Sequence, residues 1–332
     1  MKRASLLLPL ALVLGLPNHA ADAQTLKAVR DRGFLSCGVS PGSPEFSSPD
    51  DKGNWTGLDV DICRAVAAAV LDDPSKVLFV LSPAKDRAAA LQSGEIDMLS
   101  RSSTWTLVRD ASLDLNYAGI TYYDGQGFMV RKSARIHSPL EFDAASVCVQ
   151  SGTVTGKNAA DYFTANDLKY ELIAFRTADE ALKAYEAGRC DTYTAGVPQL
   201  LSDRLELANP GEHVVLRKIV SKESSGPAVR HGDDQWFDIV KWTLFAMLNA
   251  EELGVTQENV DRMSGSDKPE VRRMLGTDGN PGEHLGLARD WVVRVVRAVG
   301  NYGESLDRNL GAESRLGAAR GLNRPWIHGG LQ

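Results

Sequence analysis

The stretch Ala90-Leu-Gln-Ser-Gly94-Glu-Ile-Asp97-Met-Leu-Ser100 decides the fold, because it has a counterpart further along the chain, Ala184-Tyr-Glu-Ala-Gly188-Arg-Cys-Asp191-Thr-Tyr-Thr194. Each places an alanine, a glycine four residues later and an aspartate three after that. The glycine reads as the left-handed residue that closes a helix, and the run past the aspartate as the strand that follows. Around the first copy, Phe34 to Val39 predicts a strand. Asp59 to Leu71 predicts a helix with Ile62, Cys63, Val66 and Val70 on its apolar stripe, and Val77 to Leu81 a strand. A short helix over Asp86 to Gln92 and a strand over Ile96 to Ser100 complete that unit. Around the second copy, Val147 to Val149, Tyr170 to Phe175 and Cys190 to Thr194 predict strands. Helices open at Gly152 to Gly156, running to Phe163, and span Asp179 to Glu186. The same strand and helix alternation used twice predicts two doubly wound α/β lobes with parallel sheets. Ligands bind such lobes in the crevice beyond the carboxyl ends of the strands.

Composition agrees with two lobes. The 332 residues are 43% hydrophobic and 24% charged, with a formal net charge of −6. That length exceeds one ordinary core, and the average apolar fraction excludes a disordered chain. No block of Lys and Arg exists to displace counterions from phosphates, so nucleic acid is not expected as a partner. The first residues carry their own signal: Lys2 and Arg3, an apolar run from Leu6 to Leu16, and Ala21-Asp22-Ala23. This is the order of a secretory signal peptide, 1–23, with cleavage expected after Ala23 and periplasmic export as its consequence. The apolar run is too short for a membrane span, which needs about 20 residues. The four cysteines, Cys37, Cys63, Cys148 and Cys190, lie in the exported part, where an even count suggests two disulfides. With no C-x-x-C pair and singly scattered histidines, neither a metal nor another cofactor is expected.

The residues to inspect are those just past the paired strands. In the first unit, Ser102, Ser103, Thr104 and Thr106 surround Arg109. A guanidinium fork with neighbouring hydroxyls suits a carboxylate. The plainer reading is a helix N-cap with a surface arginine paired to Asp110. In the second unit the candidates are Thr194-Ala-Gly196 and the loop Gly152 to Lys157. That loop has three residues between its glycines and Asn158 after the lysine, so it fails as a phosphate loop. What survives is a helix N-terminus facing an anion. Phe46, Trp55, Trp105, Tyr122 and Tyr123 are candidate walls. No nucleophile elbow or zinc-protease helix appears, so no catalytic residue is assigned.

Longer phrases carry a resemblance. Gly53-Asn-Trp-Thr-Gly-Leu-Asp-Val-Asp-Ile-Cys-Arg-Ala-Val66, Ser103-Thr-Trp-Thr-Leu-Val-Arg109, Tyr122-Tyr-Asp-Gly-Gln-Gly-Phe-Met-Val-Arg131 and Gly300-Asn-Tyr-Gly303 span nearly the whole exported chain. The chain resembles periplasmic substrate-binding proteins of polar amino acid ABC transporters, in the general L-amino acid-binding branch. The resemblance implies a hinged, two-lobed fold of the periplasmic binding protein type II kind. Lobe 1 is expected over 24–131 and 230–332, the latter including a C-terminal extension, and lobe 2 over 132–229. The molecule is expected to act as a monomer that closes on a small carboxylate ligand and docks on a membrane permease. Arg109 then matches the α-carboxylate clamp, Ser102 and Thr104 match first-lobe ligand contacts, and Thr153 matches the second-lobe loop. Cys37 pairs with Cys63, and Cys148 with Cys190, on the same grounds.

One departure stands out. Relatives usually carry an ammonium-binding aspartate two residues past the Tyr-Thr of the second-lobe strand, and here that position is Gly196. An ammonium desolvated without its counter-charge costs several kcal/mol. The expectation is that the carboxylate half of the site is kept, while the ammonium half is lost or supplied elsewhere. The ligand is then an amine-free organic acid or a weakly held amino acid. The alternatives to transport are a dehydratase-like enzyme or a sensory protein on the same fold; the enzyme needs an acid or base in the cleft, and Gly196, with Val154 and Gly156 where relatives usually carry threonine and glutamate, removes acids there.

Overall fold

The computed structural model describes residues 24–40, 42–50 and 52–332; the expected signal peptide lies outside the described residues. Helix α1 (Thr25–Arg32) leads into β1 (Leu35–Val39), the short pair β2 (Ser48–Pro49) and β3 (Trp55–Thr56), and α2 (Leu58–Leu71). Then come β4 (Val77–Leu81), α3 (Arg87–Ser93), β5 (Met98–Leu99), α4 (Leu107–Ser112) and β6 (Leu115–Tyr117). The long β7 (Tyr122–Arg131) leads to β8 (Ala145–Gln150), α5 (Thr155–Ala165), β9 (Tyr170–Phe175), α6 (Ala178–Glu186), β10 (Thr192–Gly196) and α7 (Val197–Glu206). The chain returns through β11 (His213–Val215), β12 (Ser221–Ser225) and β13 (Ala228–Arg230). It ends in helices α8 (Asp234–Glu252), α9 (Val260–Met263), α10 (Pro269–Met274), α11 (Trp291–Val299) and α12 (Tyr302–Asn309), followed by an irregular tail.

The first sheet runs β4-β1-β5-β13-β6, and the second β11-β7-β10-β8-β9 with β12 also on β7. The expected parallel core is present in each: β1 pairs with β4 and β5, and β8 with β9 and β10. Both sheets are nevertheless mixed, because β13, β6, β7, β11 and β12 are antiparallel additions. These strands also move the lobe crossings. Gln126 to Val130 already pair with β10, and Ala228 to Arg230 belong to the first sheet. The antiparallel pair β7/β12 therefore carries the chain between lobes, earlier than the boundaries expected at 131 and 230. A continuous strand crossing from one lobe to the other contains no turn signal, so the sequence marks no boundary there.

Both lobes have helices on two faces of the sheet. In the first, Ile62 and Val66 of α2, Ile239 and Leu244 of α8, and Val292, Val295 and Val299 of α11 form one core, while Leu91 of α3 packs with Ile96, Leu99 and Leu115 on the other side. Helix α11 presents its valine stripe to α2, as its spacing predicts. In the second lobe, Ala181 and Tyr185 of α6 with Leu200 of α7 cover one face, and Ala159 and Phe163 of α5 the other. Gly94 and Gly188 both adopt positive φ, the first closing α3 and the second lying just past α6. The disulfides Cys37–Cys63 and Cys148–Cys190 each join residues of one lobe and leave the crossing strands unlinked.

The C-terminal segment does more than cover the first lobe. Ser305 Oγ, Arg308 Nη2 and Asn309 Nδ2 all donate to Asp61 Oδ2 in the first turn of α2, at 2.6–2.8 Å. Further on, Asn323 pairs with the backbone of the crossing strand: its Oδ1 accepts from Tyr123 N at 2.7 Å and its Nδ2 donates to Tyr123 O at 3.1 Å.

Candidate functional site

A cavity of about 90 Å³ lies between the lobes, lined from one side by Ser102, Thr104 and Arg109 and from the other by Thr153, Thr194 and Gly196. The lobes approach closely at its edge. Gly152, at φ +77°, comes so near Ala84 and Lys85 of the first lobe that a side chain there would meet backbone.

Arg109 sits in the first turns of α4, whose N-cap is Thr106, its hydroxyl accepting from Arg109 N at 3.3 Å. The N-cap reading is thus correct for Thr106, but Arg109 is no surface residue. It is buried, donates through Nη1 to Thr104 O at 2.8 Å, and leaves Asp110 to accept from Trp105 Nε1. The predicted hydroxyls line the cavity with partners already engaged. Ser102 Oγ donates to Asp59 Oδ2 at 2.8 Å, Thr104 Oγ1 to Glu223 Oε2 at 3.2 Å, and Thr153 Oγ1 to Gln150 O at 2.7 Å. Each keeps an oxygen lone pair for a ligand donor.

Of the two outcomes expected for the acid missing at Gly196, lost or supplied elsewhere, the cavity holds an acid from another strand. Asp124 of the crossing strand β7 lines the cavity, and its Oδ2 occupies the space a side chain on Gly196 would fill. Its Oδ1 accepts from Gly125 N at 2.6 Å and Val197 N at 3.3 Å, the latter at the start of α7. Burial pushes this carboxyl up to about 7, with the neighbouring Glu223 adding to the rise and the two amides opposing it. Glu223, on the returning strand β12, also lines the cavity; it accepts from Thr104, Asn158 and Ser221, and burial raises it as well. An acid held partly protonated by burial is one that an arriving cation would ionise.

Among the candidate aromatic walls only Phe46 lines the cavity, set edge-on to Tyr122 at 5.7 Å. Trp55 packs on Phe79, and Trp105 stacks on Tyr117 at the surface. Tyr193 supplies a wall that sequence reasoning missed; its hydroxyl donates to the buried Asp203 at 3.0 Å. Asp124 and Tyr193 were missed although both lie in stretches quoted above, because nothing local in either stretch turns them toward the crevice, and Glu223 lies on a strand without a motif. The single acid within β7, between Tyr123 and Gly125, was the available signal for the first.

Comparisons with known proteins give the chain's family. Residues 35–259 match the bacterial extracellular solute-binding proteins, family 3. The chain is 54% identical to the general L-amino acid-binding periplasmic protein AapJ of Rhizobium johnstonii over 97% of its own length and 95% of the relative's. It is 47% identical, over 97% and 94%, to the glutamate/glutamine/aspartate/asparagine-binding protein BztA of Rhodobacter capsulatus. A solved ABC transporter periplasmic binding protein from Brucella ovis with glutathione bound superposes with a TM-score of 0.91 at 53% identity, covering 93% of this chain and 98% of that one. With two hinged lobes, an arginine and an acid facing one interlobe cavity, and matches of this extent, the chain belongs to the family 3 bacterial extracellular solute-binding proteins.

Proposed function

We propose that the protein is exported to the periplasm, captures an α-amino acid head group between its lobes, and delivers it to the permease of an ABC importer. The observation that carries this reading is the pair Arg109 and Asp124, opposite charges lining one small interlobe cavity. Arg109 and the α5 end of the second lobe take the α-carboxylate, while Ser102, Thr104 and Thr153, whose protons are already engaged, offer oxygen lone pairs to the ligand's N–H donors. Asp124 takes the α-ammonium in the place that Gly196 leaves vacant, with Glu223 behind it. An α-ammonium beside a carboxyl raised to about 7 drives it to ionise, so binding couples to release of a proton. The relatives' ligands share this head group, from general L-amino acids in AapJ to the glutathione held by the Brucella protein. No catalytic turnover is proposed.

The test is thermal melting of ligand-stripped, disulfide-intact protein with L-amino acids, glutathione and the matching amine-free acids. A ligand at a hundred times its Kd stabilises by about 2.7 kcal/mol. Amino-acid heads should shift the midpoint. Equal shifts by 2-oxo acids or plain dicarboxylates would refute the role of Asp124, and chemical conversion of a bound amino acid would favour an enzyme.

A further inference from the structure

Two more guanidiniums line the cavity besides Arg109: those of Arg87, at the start of α3, and Arg101, just past β5. Both are buried, at 5% and 6% exposure. Arg101 donates to Ser40 Oγ at 3.2 Å, while its Nε has no partner. Among the described residues, no carboxylate lies within 4.0 Å of Arg87, Arg101 or Arg109, and the Arg87 guanidinium has no hydrogen-bond partner. Asp59, whose field reaches Arg101, already accepts from Ser100 and Ser102. Burial lowers both side chains; Arg101 and Arg109 repel Arg87, and Arg109 repels Arg101, which falls to about 10 although Asp59 opposes the drop. A buried guanidinium is a costly thing to leave unpaired, and it does not escape by losing its proton under ordinary conditions.

Three arginines line the cavity with Asp124 and Glu223, and Asp59 lies behind the lining Ser102, yet none of these acids is within ion-pair distance of Arg87 or Arg101. A zwitterionic neutral amino acid spends its one carboxylate on Arg109 and leaves the Arg87 and Arg101 forks without an anion; a ligand with one further carboxylate supplies it. Resting on the amino-acid role proposed above, we infer that Arg87 and Arg101 form a second anion subsite, and that the preferred ligand carries a second carboxylate in addition to its α-amino acid head. The geometry suits planar, charge-assisted pairing of that carboxylate with one or both forks. Ser40, which already accepts from Arg101, and Ser43, bonded to it at 3.1 Å, form the hydroxyl border of this subsite.

The experiment is calorimetric titration of the ligand-stripped protein with L-glutamate, L-aspartate and their amides, repeated on Arg87→Met and Arg101→Met. Glutamate or aspartate should bind at least about tenfold tighter than its amide, and each variant should lose at least about ten times more affinity for the diacid than for the amide. Wild-type protein that binds glutamine and asparagine as tightly as the acids overturns the second subsite while leaving the amino-acid role standing. Variants that weaken acid and amide alike overturn it too, since the arginines then only hold the lobe together. Binding of no amino acid at all refutes the amino-acid reading itself, and the wild-type panel decides this without any variant.

Discussion

The carboxylate of Asp124 stands where a side chain on Gly196 would go, so one acid on the crossing strand and one missing side chain on β10 are two halves of a single arrangement. Gly196 pairs with Gln126, two residues beyond Asp124 on the same strand. A larger residue at 196 would displace the acid, and the acid needs the space. Asp124→Asn should therefore weaken amino-acid binding by about 3–5 kcal/mol, roughly two to four decades, because it strands the ligand's ammonium. Gly196→Asp alone should weaken binding as well, by collision and by like charge. Combined with Asp124→Gly, it should recover much of the loss. Titration calorimetry on the three variants checks the set, and a gain in affinity for Gly196→Asp alone would contradict the arrangement.

Much of this fold is legible in the sequence because helix stripes, closing glycines and strand runs are local signals. Gly94 and Gly188 mark their turns without reference to anything distant, and Val292 to Val299 announce a buried helix face. The site is legible where hydroxyls gather around a charged side chain within one short stretch, as at Arg109. Asp124 and Glu223 sit on two strands far apart in sequence, and their convergence depends on the β7/β12 pairing. Gly196 reads as a deletion when its own strand is considered alone. Only the neighbouring strand shows it to be a vacancy for another residue's carboxylate.

The pH response follows from the buried acids. Burial raises Asp124 and Asp203 to about 7 and Asp59 to about 6, above the ordinary aspartate value of 3.8. For carboxyls raised by folding, the stabilisation is complete below about pH 4 and is lost as pH climbs through 6 to 7. These three groups should make the ligand-free protein melt at lower temperature at pH 8 than at pH 5. Amino-acid binding runs the other way. Affinity should rise by up to about tenfold per pH unit below 7 and level off above it, with a proton released from Asp124 on binding. Calorimetry in buffers of different ionisation enthalpy measures that proton; its absence at pH 6 would show Asp124 is already ionised.

The disulfides close segments separated by 26 and 42 residues. In the chain-entropy account, each loop constrains the unfolded chain by roughly 3.5–4 kcal/mol. Cys148→Ala with Cys190→Ala, or the other pair, should lower the denaturation midpoint accordingly. Affinity should stay within about threefold, because neither bridge crosses the hinge. Urea unfolding alongside ligand titration separates the two effects.

The C-terminal segment should set how readily the lobes part. Arg315 reaches Glu45 of the first lobe and, on the second, Glu206 Oε1 at 2.6 Å and Ser202 Oγ at 3.1 Å. It also borders a larger cavity of about 1260 Å³ bounded by both lobes. Opening the cleft must break one side of this bridge. The pairs are partly exposed, so each is worth only about 0–1 kcal/mol. Asn323 acts differently: its amide holds both backbone groups of Tyr123, so it restrains the crossing strand in either lobe arrangement. Arg315→Met should accordingly speed ligand release about two- to fivefold with little change in thermal midpoint. Asn323→Ala strands a buried amide pair, at a cost of about 1–3 kcal/mol, and should lower the midpoint. Stopped-flow release rates and melting curves distinguish the two. Equal loss of stability in both variants would mean that the tail is a packing element and not a clasp.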